Sequence, residues 1–235
     1  NGVDVQFPWE DHPSRTHDKV MTLGPFEFDK FPVTKGEYAE FLNATGYQGG
    51  DDDYNWLKDW PRRCDDDSVT GQPCLAPGDE MQPVTYVSLQ EARDFCAWDG
   101  GKRLPMAYEW QLAAQGGDGR QYPWGNESNP ANMPSPVTDS RTLTGAALVN
   151  SHSPAGDSPF GAADLVGNVW QFTGSEFFDA HTRSVVLKGS SYWQPTTGSD
   201  YPTYPQYLNW YFPKALELSK HNKYFLMDAS YERAG

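Results

Sequence analysis

Hydrophobic residues recur at helical spacing in the segment that follows Thr34. Threonine is a favourable N-cap residue, and Glu37, three residues later, completes a capping box. Apolar side chains then fall on one face, at positions 38, 41 and 42, until Gly46 ends the pattern. The sequence therefore predicts a helix over residues 35–44.

The same helical pattern occurs twice more. Ser88 and Glu91 form a second capping box, and the glycine pair at 100–101 marks the end of this helix. Its apolar residues lie on roughly one face: Ala92, Phe95, Cys96 and Trp98. A third helix is predicted over residues 107–114.

Alternation of polar and apolar residues, which is typical of strands, is found at 20–23 and 26–31, and the clearest of the later short strands is predicted at 184–188. Between the predicted elements lie acidic and irregular stretches, and the 22 glycines and 19 prolines favour turns. No repeat or linker divides the chain. We therefore expect one α+β domain over residues 1–235, with much irregular structure.

Composition narrows the classes of function. The net charge of −14 argues against binding to nucleic acid or to anionic membranes, and no apolar run approaches the ~20 residues of a membrane span. The charge suits cationic partners and calcium, which binds hard oxygen ligands, although an acidic surface without a specific ligand is the alternative. Since the chain begins at Asn1 rather than Met, any signal peptide is expected to lie outside the given sequence.

The cysteines indicate an oxidising compartment. Cys64 and Cys74 share a polar loop that has neither a Cys-x-x-Cys pair nor a histidine at zinc spacing, so a disulfide is expected there rather than a metal site. Cys96 is left over. Glycosylation sequons at Asn43 and Asn126 agree with a secreted or lumenal protein.

A series of short motifs runs through the second half of the chain. They are PVTYVS at 83–88, CAW at 96–98, KRLP at 102–105, EW at 109–110, YPWGN at 122–126, GNVW at 167–170 and KGSSYW at 188–193. In this order the chain resembles the formylglycine-generating enzyme (sulfatase-modifying factor) family, from about residue 26 to its end.

The resemblance implies a single compact domain, related to C-type lectins, with little regular secondary structure. It also implies that the family's last motif, Gly-Phe-Arg-Cys, would follow residue 235, and that Cys96 pairs with the cysteine of that motif. Arg103 is expected to form a buried ion pair with Glu109, because buried charges need partners. The tryptophans of the motifs are expected in the core: Trp98, Trp110, Trp124 and Trp170.

Calcium is the cofactor that the resemblance supports. One family site would place its ligands on Asp164, Gly167, Val169 and Gln171, with a glutamine where relatives have glutamate. A second site would use Asn132, the carbonyl of Met133 and an acidic residue further on, for which Asp139 is the nearest candidate. Loops held by hydrogen bonds without an ion are the alternative for both sites.

The resemblance does not by itself imply that this chain performs the family's copper-dependent chemistry. In its enzymes two cysteines follow the last motif closely and hold the copper that activates oxygen, whereas residues 194–201 here contain no cysteine. Copper(I) needs soft thiolate ligands, so copper is not expected. The related sulfoxide synthases use iron held by a separate helical domain, and that domain's histidine motif is not found in this chain.

Aromatic residues dominate the segment that replaces the copper site. Between 192 and 211 they are Tyr192, Trp193, Tyr201, Tyr204, Tyr207, Trp210 and Tyr211. The resemblance places this stretch along the substrate groove, where aromatics could stack on a glycan or hold a peptide or protein segment. The alternative is that they pack an insert onto the core.

The leading hypothesis is a non-classical member of the family that works as a secreted, calcium-stabilised binding or structural module, within a larger assembly or alone. The runner-up is a metal-dependent oxidoreductase with a changed centre, built from some of His152, Asp179, His181 and His221. A third possibility is formylglycine generation with cysteines located beyond residue 235.

Overall fold

The structure of the chain is a computed structural model that describes residues 11–12, 20–47, 75, 77–127, 129–132, 146–178, 183–189 and 223–226. In these ranges the helices are α1 (Lys35–Thr45), α2 (Leu89–Trp98) and α3 (Ala107–Gln115). Short 3-10 turns occur at Asp79–Met81 and Pro130–Asn132. The three predicted helices are confirmed, each within a residue or two of its expected bounds.

The helices begin where local capping allows it. Before α1, the Thr34 side chain accepts a hydrogen bond from the Glu37 amide, and the Glu37 carboxylate accepts one from the Thr34 amide at 2.8 Å. Ser88 and Glu91 repeat this arrangement before α2. No side chain caps α3, but the Glu109 carboxylate accepts a hydrogen bond from the Met106 amide at 2.7 Å.

Three antiparallel strands form one sheet in the order β1 (Gln171–Phe178), β2 (Arg183–Lys188) and β3 (Lys223–Leu226). The predicted strand at 184–188 is confirmed as the centre of this sheet. Its partners are far apart along the chain, with Leu187 paired to Phe172 on one side and to Lys223 on the other.

The strands predicted at 20–23 and 26–31 are wrong, because this segment forms no ladder with any other described residue. Its Lys30 carbonyl accepts one backbone hydrogen bond, from Ala163, and Phe28 packs against the core. The alternation of polar and apolar residues therefore indicates which side chains face the protein interior. A strand also needs a neighbouring strand with which its backbone can form hydrogen bonds.

Two hydrophobic clusters make up the core of the described part. The first joins Trp110 and Ala114 of α3 to Tyr122 and to residues 162–166. The second joins α1 to α2 through Tyr38, Phe41, Leu42 and Phe95. Aromatic contacts hold the second cluster together, with the Tyr38 and Phe95 rings stacked 5.7 Å apart.

Two expectations about buried residues need correction. Of the tryptophans expected in the core, Trp110 is fully buried, and Trp124 and Trp170 are half-buried. Trp98 is 38% exposed, because it is the last residue of α2, although its ring still contacts Phe41 and Phe95. The pair between Arg103 and Glu109 is present with two contacts of 2.7 Å, yet the Arg103 side chain is 63% exposed. The carboxylate alone is buried.

Candidate functional site

Residues 150–157 form a hydrogen-bonded turn in front of the GNVW motif. The Gly156 amide donates to the His152 carbonyl at 2.8 Å, and the Asp157 amide donates to the Pro154 carbonyl at 3.2 Å. At the start of the turn, Asn150 has a left-handed backbone, with φ of 68°. The turn therefore has a fixed shape against which nearby side chains are positioned.

Asp164 approaches this turn from the segment that precedes the motif. The residue is 5% exposed, and its Oδ2 accepts a 2.7 Å hydrogen bond from the Asn150 amide. Its Oδ1 is also buried but has no hydrogen-bond partner among the described residues. Burial raises the pKa of the Asp164 carboxyl, because the charged form loses water. A buried acceptor without a partner costs roughly 1–3 kcal/mol, and more when it is charged.

Asp157, within the same turn, also carries a buried carboxylate oxygen that no described residue binds. Its Oδ2 accepts a 2.7 Å hydrogen bond from the Ser153 hydroxyl, while its Oδ1 is buried and unpartnered in the described part of the chain. Sequence reasoning missed this residue, since no local motif marks it. The turn and the Asp164 carboxylate that binds it thus hold two enclosed carboxylate oxygens that lack donors.

The four ligands expected around GNVW are only partly brought together. The Gln171 side chain donates from Nε2 to the Asp164 backbone carbonyl at 2.8 Å, and its Oε1 accepts from the Trp110 indole at 2.7 Å. The Gly167 amide donates to the Gly189 carbonyl at 2.8 Å, and Val169 is buried. Gln171 is therefore engaged in a structural link.

Asn168, inside the same motif, was also missed by sequence reasoning. It is fully buried with φ of 59°, and its side-chain amide exchanges two hydrogen bonds with the backbone of Ala147. Asparagine is one of the non-glycine residues most enriched at such left-handed positions, which is the sequence signal available here. Asn168 fixes the loop at 147 to the motif, which is a structural role.

Asn132, expected in the second calcium site, reaches the same turn. Its backbone carbonyl lies so close to Gly156 that a Cβ atom there would collide with it. The Asn132 side-chain oxygen accepts a 3.0 Å hydrogen bond from the Asn129 amide group. The other two residues expected in that site, Met133 and Asp139, lie outside the described residues.

Of the residues expected in the alternative metal centre, only His152 lies within the described ranges. His152 is half-buried, and its Nδ1 lies 2.9 Å from the Ser151 hydroxyl. Asp179, His181 and His221 lie outside the described ranges. Within those ranges, no group of three or more His, Cys, Asp and Glu side chains is arranged to hold a metal ion.

A model of the sulfatase-modifying factor enzyme 1-like domain matches residues 5–215. The chain belongs to the sulfatase-modifying factor family. Its architecture is accordingly that of a formylglycine-generating-enzyme-like domain, with mixed helix and sheet and little regular secondary structure.

Two similar relatives within the sulfatase-modifying factor family are named as inactive. The inactive C-alpha-formylglycine-generating enzyme 2 of Bos taurus is 32% identical over 214 residues, covering 77% of this chain and 70% of the relative. Its Mus musculus counterpart is 31% identical, covering 77% and 68%. The formylglycine-generating enzyme of Thermomonospora curvata is 29% identical, covering 66% and 61%.

Cys96 of this sulfatase-modifying factor domain is a free, half-buried thiol in the described part of the chain. Burial, with Asp29 and Asp99 nearby, raises the pKa of the thiol to about 11. A thiol that stays protonated at neutral pH is a poor metal ligand in this state. Cys64 and Cys74, with their predicted disulfide, lie outside the described residues.

Of the remaining predicted sites, the glycosylation sites lie within the described residues and the aromatic groove does not. Asn43 is exposed on α1, and Asn126 is exposed in the YPWGN turn, where its Oδ1 accepts a 3.0 Å hydrogen bond from the Gln121 amide. The aromatic residues predicted to line a groove all lie outside the described ranges: Tyr192, Trp193, Tyr201, Tyr204, Tyr207, Trp210 and Tyr211. A helix long and apolar enough to span a membrane does not occur in the described part.

Proposed function

We propose that this sulfatase-modifying factor domain is a calcium-stabilised binding or structural module of the secretory route, and that it does not perform the copper-dependent oxidation of the family's enzymes. The observation that carries the proposal is the cysteine content. The chain has three cysteines, at 64, 74 and 96, and none follows the KGSSYW motif. Copper(I) chemistry needs soft thiolate ligands, which this region cannot supply.

Similarity to relatives supports the same proposal. The two inactive C-alpha-formylglycine-generating enzymes 2 are 32% and 31% identical to the chain, against 29% for the Thermomonospora curvata enzyme. The chain is therefore at least as similar to relatives that are named inactive as to this enzyme, which agrees with a domain that kept the fold without the oxidase centre.

Calcium is supported by the chemistry of the donors around the turn. The buried Asp164 carboxylate offers an unpartnered oxygen, and hard oxygen donors are the ligands that calcium prefers. Asp164 and the backbone carbonyls of Gly167 and Val169 would hold the ion. When bound, calcium would supply the positive charge that the buried carboxylate lacks.

The binding role rests on the aromatic segment 192–211. Aromatic side chains can stack on sugar rings or hold an extended peptide, and the net charge of −14 favours partners that carry positive charge. A peptide, a glycan or a protein segment is therefore the expected class of partner. The secretory route is supported by the sequons at Asn43 and Asn126 and by the predicted disulfide between Cys64 and Cys74.

Elemental analysis of the purified native protein tests the cofactor. Calcium near one or two per chain, with neither copper nor iron, is the expected result. Stoichiometric copper or iron that is lost in His152→Ala would instead favour the oxidoreductase alternative. The activity is tested by incubating the protein and copper with a sulfatase peptide that carries the target cysteine. Conversion to formylglycine, seen as a mass change, would overturn the proposal.

The compartment can be tested separately on the protein expressed in a secretory host. Peptide mapping without reduction should recover Cys64 and Cys74 in one disulfide-linked peptide. Treatment with an amidase that removes N-glycans should lower the mass of the wild type, with a smaller change in Asn43→Gln and Asn126→Gln. A reduced, unglycosylated product would count against the secretory assignment.

A further inference from the structure

We propose that Asp157 supplies the second side-chain ligand of the calcium ion held by Asp164, the role that the family resemblance assigns to position 171. This inference rests on the proposed calcium-stabilised function and makes its site specific to this chain. The site would be a two-carboxylate cation site on the turn at 150–157.

The Gln171 side chain already uses its oxygen and its nitrogen in other hydrogen bonds. The Gln171 oxygen accepts the Trp110 indole proton at 2.7 Å, and its nitrogen donates to the Asp164 backbone carbonyl at 2.8 Å. Trp110 is fully buried, so moving Gln171 toward an ion would leave the indole N–H without a partner inside the core. The amide is also neutral, so it adds no charge to balance a divalent ion.

Asp157 has a carboxylate oxygen without a hydrogen-bond partner, which Gln171 lacks. The Asp164 carboxylate accepts a hydrogen bond from Asn150, which is the first residue of the turn, and Asp157 is the last residue of the same turn. Each carboxylate uses one oxygen for a hydrogen bond, to the Asn150 amide and the Ser153 hydroxyl respectively. Each leaves its other oxygen buried and without a donor among the described residues. These hydrogen bonds hold one oxygen of each carboxylate against the turn.

A cation accounts for these oxygens better than protein donors do. In the described part of the chain, neither carboxylate forms an ion pair with a lysine or arginine. Buried carboxylate oxygens without donors are costly, and a calcium ion bound on this turn would give both of them a partner. The Asn132 carbonyl packs against Gly156, the neighbour of Asp157, which brings a further oxygen to the same turn. Water would complete the coordination.

The test measures calcium affinity directly, by calorimetry and by terbium luminescence sensitised through tryptophan, on protein stripped with EDTA. Wild type, Asp157→Asn and Asp164→Asn are compared with Asp118→Asn, which removes a carboxylate from an exposed pair with Arg120. We expect both site variants to weaken calcium binding by roughly tenfold or more, because each removes a charged ligand. Asp118→Asn should bind like wild type.

The outcomes separate this inference from the function on which it rests. If Asp164→Asn weakens binding while Asp157→Asn binds like wild type, the proposed calcium stabilisation stands and the role of Asp157 is wrong. If wild type binds neither calcium nor terbium, both fall. Should Asp157→Asn not fold, Asp157→Glu keeps the charge but displaces the carboxylate. It should then weaken binding while the circular dichroism spectrum stays that of wild type, and unchanged affinity would overturn the assignment.

Discussion

The indole Nε1 of Trp110 donates a 2.7 Å hydrogen bond to the side-chain oxygen of Gln171. The nitrogen of the same amide donates at 2.8 Å to the Asp164 backbone carbonyl, so Gln171 joins α3 to the segment that carries the candidate site. A glutamate could accept the indole proton but could not donate to the carbonyl. The amide therefore gives this chain a structural link that an ionised carboxylate cannot provide.

Changing Gln171 to Glu is expected to lower the free energy of unfolding by roughly 1–3 kcal/mol in EDTA, because an acceptor would then face the buried Asp164 carbonyl. Urea denaturation measures the change. Gln90→Glu is the control, since Gln90 donates to Asp94 on the exposed face of α2, and its change should stay within about 0.5 kcal/mol. A Gln171→Glu protein as stable as wild type in EDTA would contradict the structural role.

Changing Glu109 to Gln should destabilise the protein by roughly 1–3 kcal/mol at pH 7, because the variant loses charge-assisted bonds to Arg103. Hydrogen bonding to Arg103 lowers the pKa of Glu109, so its stabilising effect is complete at neutral pH. The effect begins to decline at the unfolded-state pKa of about 4.3 and is lost as the pH falls through the lower pKa of the folded state. Thermal unfolding from pH 7 down to pH 3 should therefore show the two proteins converging.

The exposed pair of Asp118 and Arg120 is the control for that experiment. Their nitrogen and oxygen atoms are 2.6 Å apart, but the Asp118 side chain is 58% exposed. Exposed pairs are screened by water and contribute little. Asp118→Asn should leave unfolding at pH 7 unchanged, and an effect as large as that of Glu109→Gln would show that burial is not what distinguishes the two pairs.

How far the fold follows from sequence depends on whether its signals are local. Thr34 with Glu37, and Ser88 with Glu91, are capping boxes contained within four residues, and both helices begin where these predict. The strand at 184–188 is also correct, because its hydrophobic run is buried on both sides. The segment at 20–31 alternates polar and apolar residues, but no described strand lies beside it, and no local pattern predicts whether a neighbouring strand is present.

The candidate site depended on contacts that sequence cannot show. Asp164 was identified through the GNVW motif that it precedes, whereas Asp157 has no motif and gains its importance only when the turn meets the Asp164 carboxylate. The engagement of Gln171 with Trp110 is likewise a contact between distant residues. A family motif therefore predicts where a site lies more securely than which side chains complete it.

Gly189 lies where a side chain would be strained for two separate reasons. Its φ is 93°, and an added Cβ would lie 3.1 Å from the Leu165 carbonyl oxygen. Gly101 also has a positive φ, of 74°, but has open space around it. Gly101→Ala should cost roughly 1–2 kcal/mol from backbone strain alone. Gly189→Ala should cost clearly more in the same urea titration, and equal losses would mean that the close approach to Leu165 contributes nothing.

Lys188 places its ammonium group inside the core at the end of β2. The residue is 4% exposed, its Nζ donates a 2.7 Å hydrogen bond to Gln111, and it lies 5.3 Å from the centre of the Trp110 ring. Burial lowers the pKa of Lys188 from its ordinary value of 10.5 to about 7. Between these values the unfolded chain binds more protons than the folded one, so folding stability rises with pH.

Replacing Lys188 with Met should remove this part of the pH dependence. The stability attributed to Lys188 is complete above pH 10.5 and declines as the pH falls to about 7, below which nothing further is lost. Relative to wild type, Lys188→Met should therefore gain most near pH 7, and its advantage should shrink as the pH rises toward 10. Urea denaturation of both proteins over this range measures the difference, with exposed Lys30→Met as the control for removing a positive charge. Parallel curves for wild type and Lys188→Met would show that Lys188 keeps its proton in the folded state, and that its bonds to Gln111 and Trp110 offset the cost of burial.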